Sequence, residues 1–373
     1  MVYTPHGRSL EGGAGRGPGV RAFKSLQASR DEEACFTLRI CQGGELMYPD
    51  DAINDVLKDK DFVELSKDGT RRGCPVCLPP LAHLTLGWMG EGRMWSPQSG
   101  WAPAKAVLEG HGLAPLVLKP KEGVALISGT QLMTSLGAEA VERALGMEKQ
   151  ADIIAALSLE ALRGTNKAFD HDIHAVRPHP GQIEVAMRLR SLLDSDIFHS
   201  QISGSHRSCN LVKDAYTLRC ILQVHGVAID TIAFVQKVVS TELNSATDNP
   251  LVFAKRSETI SAGNVHGEYP AKALDFLAIG VHEMSNMSER STERLVNPSL
   301  SELPAFLVAE GDLKSGFMIA HCTAAALVSE SKALCHPSSV DSLSTSVATE
   351  DVSMGGWAAR KALSVLEHVE KDF

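Results

Sequence analysis

The chain has 373 residues, of which 44% are hydrophobic, 22% are charged and 5% are aromatic. These values are typical of a globular, helix-rich protein with one large or two ordinary domains. The net charge of -9 argues against nucleic acid or an anionic membrane as the main partner, because both require a basic face. No apolar run approaches the roughly 20 residues that span a bilayer, so no membrane segment is expected.

The first 80 residues divide into three segments. Residues 1–20 are rich in Gly and Arg and are predicted to be disordered. Residues 21–67 have a mixed pattern that predicts a small α+β extension. Residues 68–80 form a junction with a basic patch, two prolines and the motif Cys74-Pro75-Val76-Cys77. From residue 81 to residue 373 the pattern predicts one helical domain.

The cysteines predict free thiols in a reducing cytoplasm, because eight of them are scattered through a chain too long to need disulfides. The Cys74-x-x-Cys77 pair also allows half of a zinc site or a redox pair. Zinc needs four ligands, and no second pair follows at a usable spacing. A redox pair calls for a helix N-terminus, which two nearby prolines do not favour. We therefore expect no metal, and a thiol or zinc module is the weakest hypothesis.

Helical periodicity dominates the chain after residue 81, where Glu91 to Pro103 is predicted to be a loop. Ala151 to Leu162 is apolar on most faces, so it should be buried between other helices. Long apolar helices joined by polar loops predict a mainly α, multi-helix bundle that oligomerises. The predicted helices cover about residues 131–162, 178–193, 212–239, 268–295, 315–334 and 353–373.

Two polar loops stand out between residues 241 and 295, on either side of a short predicted strand at residues 251–254. Amides, carboxylates and one imidazole cluster there beside long helices, as in the mouth of an active site. The alternative is a pair of solvated loops whose Asn and Asp side chains form turns. The cluster comprises Asn244, Asp248, Asn249, Asn264, His266 and Glu268.

Four segments carry a family resemblance: residues 241–249, 263–275, 298–310 and, most specifically, 316–357 with its HPSSVDS run. They resemble the aromatic amino acid ammonia-lyase family and, within it, the vertebrate-type histidine ammonia-lyases (histidases). The resemblance covers residues 78–373. It implies a helical bundle of the fumarase/aspartase type, here incomplete at both ends, and cytoplasmic tetramers whose sites combine several subunits.

The resemblance implies a reaction that converts L-histidine to trans-urocanate and ammonia in histidine catabolism, with no external cofactor. In this family an internal Ala-Ser-Gly tripeptide cyclises to 4-methylideneimidazol-5-one. Such an electrophile is needed because ammonia leaves a carbon whose neighbouring Cβ proton is barely acidic.

The resemblance also assigns roles to matching residues. Tyr216 corresponds to a tyrosine that aids proton transfer, and Arg219, three residues on, to the arginine that holds the substrate carboxylate. Glu350 matches the carboxylate that binds the substrate imidazole. Ser128 stands where the family has an asparagine at the substrate site. Supporting roles fall to Asn244, Asn249, His266 and Glu268.

The prosthetic tripeptide is where this chain departs from the family, since its positions hold Cys74, Pro75 and Val76. Ring closure requires a Gly nitrogen to attack the Ala carbonyl and the Ser to lose water. Val76 crowds that nitrogen, and Pro75 has no hydroxyl and a locked φ. The family segment before the tripeptide and its C-terminal helical domain also have no counterpart. We expect a chain inactive by the usual mechanism or, alternatively, a non-catalytic subunit that joins an intact homologue.

Overall fold

The computed structural model describes residues 78–194, 200–205, 214–342 and 351–373. Over these residues the chain is mainly α, as the sequence predicts. The predictions for residues 1–67 lie outside this part of the chain. So do Cys74, Pro75, Val76 and Glu350.

The chain forms two compact units, and each is assembled from separate stretches of sequence. The first unit contains the described residues up to Met133, together with Glu242–Gly267 and the described residues of Ser342–Trp357. The second contains the described residues of Thr134–Thr241 and Glu268–Asp341, together with Ala358–Phe373.

In the first unit, the segment that we predicted as a loop at residues 91–103 is a β-hairpin, so that prediction is wrong. Strand β1 (Arg93–Ser96) pairs antiparallel with β2 (Gly100–Pro103), and Trp95 lies opposite Trp101. The Ser96 and Ser99 hydroxyls are 2.7 Å apart across the turn, and Gly100 has a φ of +61°. An aromatic cross-strand pair and a turn with local hydroxyl bonds stabilise a hairpin that has little apolar alternation. The surrounding elements are α1 (Leu78–Trp88), β1 (Arg93–Ser96), β2 (Gly100–Pro103), α2 (Ala104–Gly110) and α3 (Glu122–Ile127).

A second hairpin in the first unit follows the polar turn at residues 244–250. The predicted strand at residues 251–254 is confirmed as β3 (Leu251–Phe253), which pairs antiparallel with β4 (Glu258–Ile260). Ser257 ends the connecting 3-10 turn with a left-handed φ of 53°. The sequence did not predict β4, whose three residues are all exposed.

The second unit is a bundle built on long helices. Four predicted helices are confirmed to within a few residues, as α4 (Gln131–Ala161), α6 (Pro180–Leu193), α10 (Glu268–Val296) and α12 (Met318–Leu334). The last prediction is confirmed as α13 (Gly355–Asp372). Helix α4 begins in the first unit. The shorter helices are α5 (His171–Ala175), α7 (Gln201–Ser205), α8 (Tyr216–Arg219) and α11 (Pro298–Ser301).

The single helix predicted for residues 212–239 is wrong, because the chain breaks at Cys220 into α8 and α9 (Ile221–Leu243). No Gly or Pro marks this break. The apolar pattern continues across it because Leu218, Ile221 and Leu222 all enter one hydrophobic core. Apolar periodicity indicates which residues are buried. Here the buried positions continue past Cys220, although the helix is interrupted there.

Helix α9 is the central element of this core. Among the described residues it is the one helix long and apolar enough, by length and composition, to cross a membrane. Nine of its residues are buried in the bundle, as expected of a core helix.

Helix α9 meets the start of α6 at Gly226. A Cβ on Gly226 would lie 2.6 Å from the Gln182 nitrogen, and one on Gly181 would overlap the Gly226 carbonyl oxygen. Two glycines therefore allow backbone contact between the helices.

Candidate active-site loops

The two polar loops identified in the sequence are joined in the first unit through Asn249. Its side-chain oxygen accepts hydrogen bonds from the Ala262 nitrogen at 2.7 Å and the Ser261 hydroxyl at 3.2 Å. Asn264 returns a bond from its side-chain amide to the Ala246 carbonyl at 3.4 Å. The amides therefore hold the loops to each other. Asn244 is exposed at the start of the first loop.

An ion pair holds the first loop to the start of α3. Lys121 pairs with the Asp248 carboxylate, whose other oxygen accepts the Asn249 N–H at 2.7 Å. Lys121 has a φ of +75°, which is uncommon for a residue with a side chain and costs about 1–2 kcal/mol. Sequence reasoning missed Lys121. Position 121 itself carries no signal for a left-handed conformation, because its residue is not Gly, Asn or Asp.

Ser128 ends α3, where its N–H donates to the Val124 carbonyl at 2.9 Å. The neighbouring Gly129 approaches the first loop, since a Cβ there would lie 2.7 Å from the Thr247 carbonyl oxygen. Thr130 donates to the Glu242 carboxylate at 2.8 Å. Ser128 is thus held next to the loop that contains Asn244 and Asn249.

His266 follows the second loop and is partly exposed. Its Nε2 lies 3.7 Å from a carboxylate oxygen of Asp351, and the Ser342 hydroxyl bonds the same carboxylate. A Cβ on Gly267 would lie 2.5 Å from the end of the Met133 side chain, so Met133 would have to move if Gly267 were replaced. The first unit therefore brings together Ser128, Asn249, His266 and a carboxylate that the sequence did not single out, Asp351.

Tyr216 and Arg219 belong to the second unit and share the short helix α8, where the sequence predicted one long helix. The guanidinium carbon lies 4.6 Å from the centre of the Tyr216 ring, a cation–π contact. Arg219 also donates from Nε to the Asp214 carbonyl at 2.9 Å. Tyr216 is 71% exposed. The contact orients Arg219, and the bond through Nε leaves its terminal amino groups as donors for a carboxylate.

Glu268 starts α10 and forms an ion pair with Lys272 one turn later. A carboxylate in the first turn also interacts favourably with the helix dipole. These two local interactions account for a glutamate at this position.

A buried ion pair anchors the segment after α12 in the second unit. Asp275, 1% exposed, accepts the Ser339 N–H at 2.8 Å and lies 3.5 Å from Nζ of Lys361. Lys361 also donates to the His336 carbonyl. Burial lowers the pKa of Lys361, and Asp275 partly offsets that effect. Helices α10 and α13 therefore clamp residues 336–339.

The described residues contain no group of three His, Cys, Asp or Glu side chains arranged to hold a metal ion. Within the same ranges Cys220, Cys322 and Cys335 are free thiols. Burial raises the pKa of Cys335 to about 12, which keeps it protonated and unreactive at neutral pH. Cys74 and Cys77 lie outside the described residues.

The helical bundle and the polar loops define a class of protein: the chain belongs to the aromatic amino acid lyase family, whose model matches residues 77–371. Within that family it is similar to the histidine ammonia-lyases of Rattus norvegicus, with 76% identity, and Homo sapiens, with 75% identity, each over 295 residues. The crystal structure of histidine ammonia-lyase from Trypanosoma cruzi superposes with a TM-score of 0.71 at 55% identity.

The matched region is most of this chain and a smaller part of its relatives. It covers 79% of this chain and 45% of the rat and human proteins. For the Trypanosoma cruzi structure the shares are 79% and 55%. The chain thus spans about half the length of the relatives it matches.

Proposed function

We propose that this chain is a histidine ammonia-lyase homologue that retains residues for binding L-histidine but does not deaminate it by the family's mechanism. The observation that carries the proposal is the contrast between two adjacent stretches. Over 295 residues the chain is about three-quarters identical to the rat and human histidine ammonia-lyases, and the family model begins at residue 77. Immediately before residue 77 stand Cys74, Pro75 and Val76, which the resemblance places at the prosthetic-group positions.

The residues at positions 74–76 do not fit 4-methylideneimidazol-5-one. Its formation needs an unhindered Gly nitrogen and a side-chain hydroxyl, and Val76 and Pro75 supply neither. We therefore derive no catalytic step through this group. The chemistry that remains is that of substrate binding. A cytoplasmic location accords with the free thiols.

The binding roles follow from side-chain chemistry. Arg219 would hold the substrate carboxylate, because a planar guanidinium makes two parallel bonds to it. Tyr216, beside it on α8, corresponds to the family's proton-transfer tyrosine and would lie against the substrate, and Glu350 would bind the imidazole. Ser128 would also contact the substrate. Supporting roles would fall to Asn244, Asn249, His266 and Glu268.

The catalytic half of the proposal is tested by incubating the chain with L-histidine while following the absorbance of urocanate. We expect no product, and an intact mass equal to that of the unmodified sequence. The rat relative serves as a positive control. Turnover comparable to that control, or a mass lower by two water molecules, would refute the proposal.

The binding half is tested by calorimetric titration with L-histidine. Arg219→Ala should weaken binding about 10–100-fold, because a charged hydrogen bond contributes roughly 1.5–3 kcal/mol. Arg256→Ala is the matched control. Arg256 also stacks on an aromatic ring, Phe253, at 4.8 Å, but it lies in the exposed second hairpin. Equal effects of the two substitutions would count against the assignment.

A second candidate function is a non-catalytic subunit that assembles with an intact homologue. It is favoured by an apolar stripe on α9 and α10, whose members recur at helical spacing. The rings of Phe234 and Phe276 lie 6.3 Å apart in this stripe. Exposed apolar patches often mark interaction sites. The stripe consists of Val227, Phe234, Tyr269, Phe276 and Ile279, all exposed.

Co-expression with an intact histidine ammonia-lyase, followed by size-exclusion chromatography, tests this second function. We expect the two chains to elute together. A chain that stays monomeric or only aggregates would rule it out.

A further inference from the structure

A chain of polar side chains crosses the core of the second unit. At its centre is Asp152 of α4, which is 1% exposed. One carboxylate oxygen lies 2.8 Å from Nδ1 of His225 on α9, and the other accepts a bond from Arg188 of α6 at 3.1 Å. Arg188 also donates to Glu148 at 2.9 Å. The polar chain therefore links three helices.

This arrangement determines which nitrogen of His225 carries the proton. The Asp152 carboxylate acts as the acceptor toward Arg188, and as an acceptor it takes the hydrogen bond that Nδ1 of His225 donates. In the neutral ring, Nε2 is then a hydrogen-bond acceptor. His225 is buried, and polar atoms of buried side chains are usually hydrogen-bonded, so a donor is expected at this acceptor.

His225 borders a small recess in the bundle. Three serines also line it, Ser158 from α4 and Ser288 and Ser291 from α10, and its apolar side includes Met284 and Met287. The recess leaves about 10 Å³ for the centres of water molecules, about what one water requires. A buried water also needs two to four polar partners, which the imidazole and the serine hydroxyls provide.

We propose that this recess is a binding site for one buried water molecule. The water donates to Nε2 of His225 and bonds to the hydroxyls of Ser158 and Ser291. It thereby extends the polar chain from α6 through α4 and α9 to α10. The site is independent of the proposed function, because none of its residues has a role in binding L-histidine.

A crystal structure of the full chain, combined with NMR of the protein labelled with ¹⁵N-histidine, tests the site directly. We expect one ordered water within hydrogen-bond distance of Nε2 of His225 and of at least one serine hydroxyl. We also expect the Nδ1–H tautomer, with the His225 resonance assigned by its loss in His225→Gln. A dry recess, a direct serine–histidine bond or the Nε2–H tautomer would overturn the proposal.

A double-mutant cycle tests the energetic link. Replacing Ser158 and Ser291 together by Ala should lower the folded-to-unfolded ratio by about tenfold, because two net hydrogen bonds are lost. In the His225→Gln background the same two serine substitutions should lower the folded-to-unfolded ratio by a several-fold smaller factor, since the shared water is already disturbed. Ser191→Ala, which removes a bond within the exposed face of α6, should cost the same in both backgrounds. Costs of the serine pair that agree within about twofold in the two backgrounds would contradict coupling through a water.

Discussion

At the scale of single residues, the buried charges of the second unit affect the free energy of unfolding more than the exposed charges do. Lys361 and Asp275 are 4% and 1% exposed, and each compensates the other. Removing one partner of such a pair leaves an uncompensated charge, which is far more costly than losing a surface pair.

Lys361→Met should therefore lower the free energy of unfolding by about 3–5 kcal/mol in denaturant titrations. The control is Lys314→Met, which breaks the exposed pair with Glu310 and should change it by less than about 0.5 kcal/mol. Removing both charges, as Lys361→Met with Asp275→Leu, should restore most of the loss. A cost for Lys361→Met as small as that of the control would show that the pair is not effectively buried.

Asp372 should make stability depend on pH in the opposite sense to an ordinary carboxylate. Burial raises the pKa of this carboxyl from 3.8 to about 6, against the effect of the Ser285 hydroxyl bond. Between these values the folded state binds more protons than the unfolded state, so stability falls as pH rises from about 4 to 6. Unfolding curves at several pH values should show this fall in the wild type and not in Asp372→Asn. Parallel pH profiles of the two proteins would contradict the assignment.

At the scale of elements, two glycines decide how closely α6 and α9 pack. Gly226→Ala should cost about 1–3 kcal/mol because its Cβ would meet the Gln182 backbone. Gly146→Ala is the matched control: it lies in α4, where an added Cβ meets nothing within 4 Å. There the better helix propensity of Ala should stabilise by about 0.4–1 kcal/mol. Thermal unfolding of both variants measures the difference in sign, and a neutral Gly226→Ala would show that the helices can separate without cost.

The sequence predicted the elements that are determined by neighbouring residues and missed those that depend on contacts between residues further apart in the chain. The bounds of α4, α10 and α12 follow from apolar periodicity. The break at Cys220 does not, because no residue there disfavours helix. The hairpin at residues 93–103 also escaped prediction, since its stability comes from the Trp95–Trp101 pair and the turn. In the loops, the sequence indicated Asn249 and His266 as a cluster, but the Lys121–Asp248 pair joins residues far apart in the chain.

At the scale of the whole molecule, the stripe on α9 and α10 predicts self-association. Phe276→Glu places a charge in that stripe, so it should shift the chain to a smaller species in sedimentation experiments. Phe317→Glu is the control, because Phe317 is also exposed to solvent and is not part of the stripe. If both variants sediment like the wild type, assembly does not use this surface.

By itself, the sequence determined the mainly α class, the positions of most long helices and the family, because these depend on periodicity and on contiguous motifs. It also predicts, from covalent chemistry, that residues 74–76 cannot form the prosthetic ring. Only the tertiary structure decided where the helix breaks at Cys220, that Asp275 meets Lys361, and that Asp152 orients His225. These features depend on contacts between distant residues, and each is set by burial that no local pattern records.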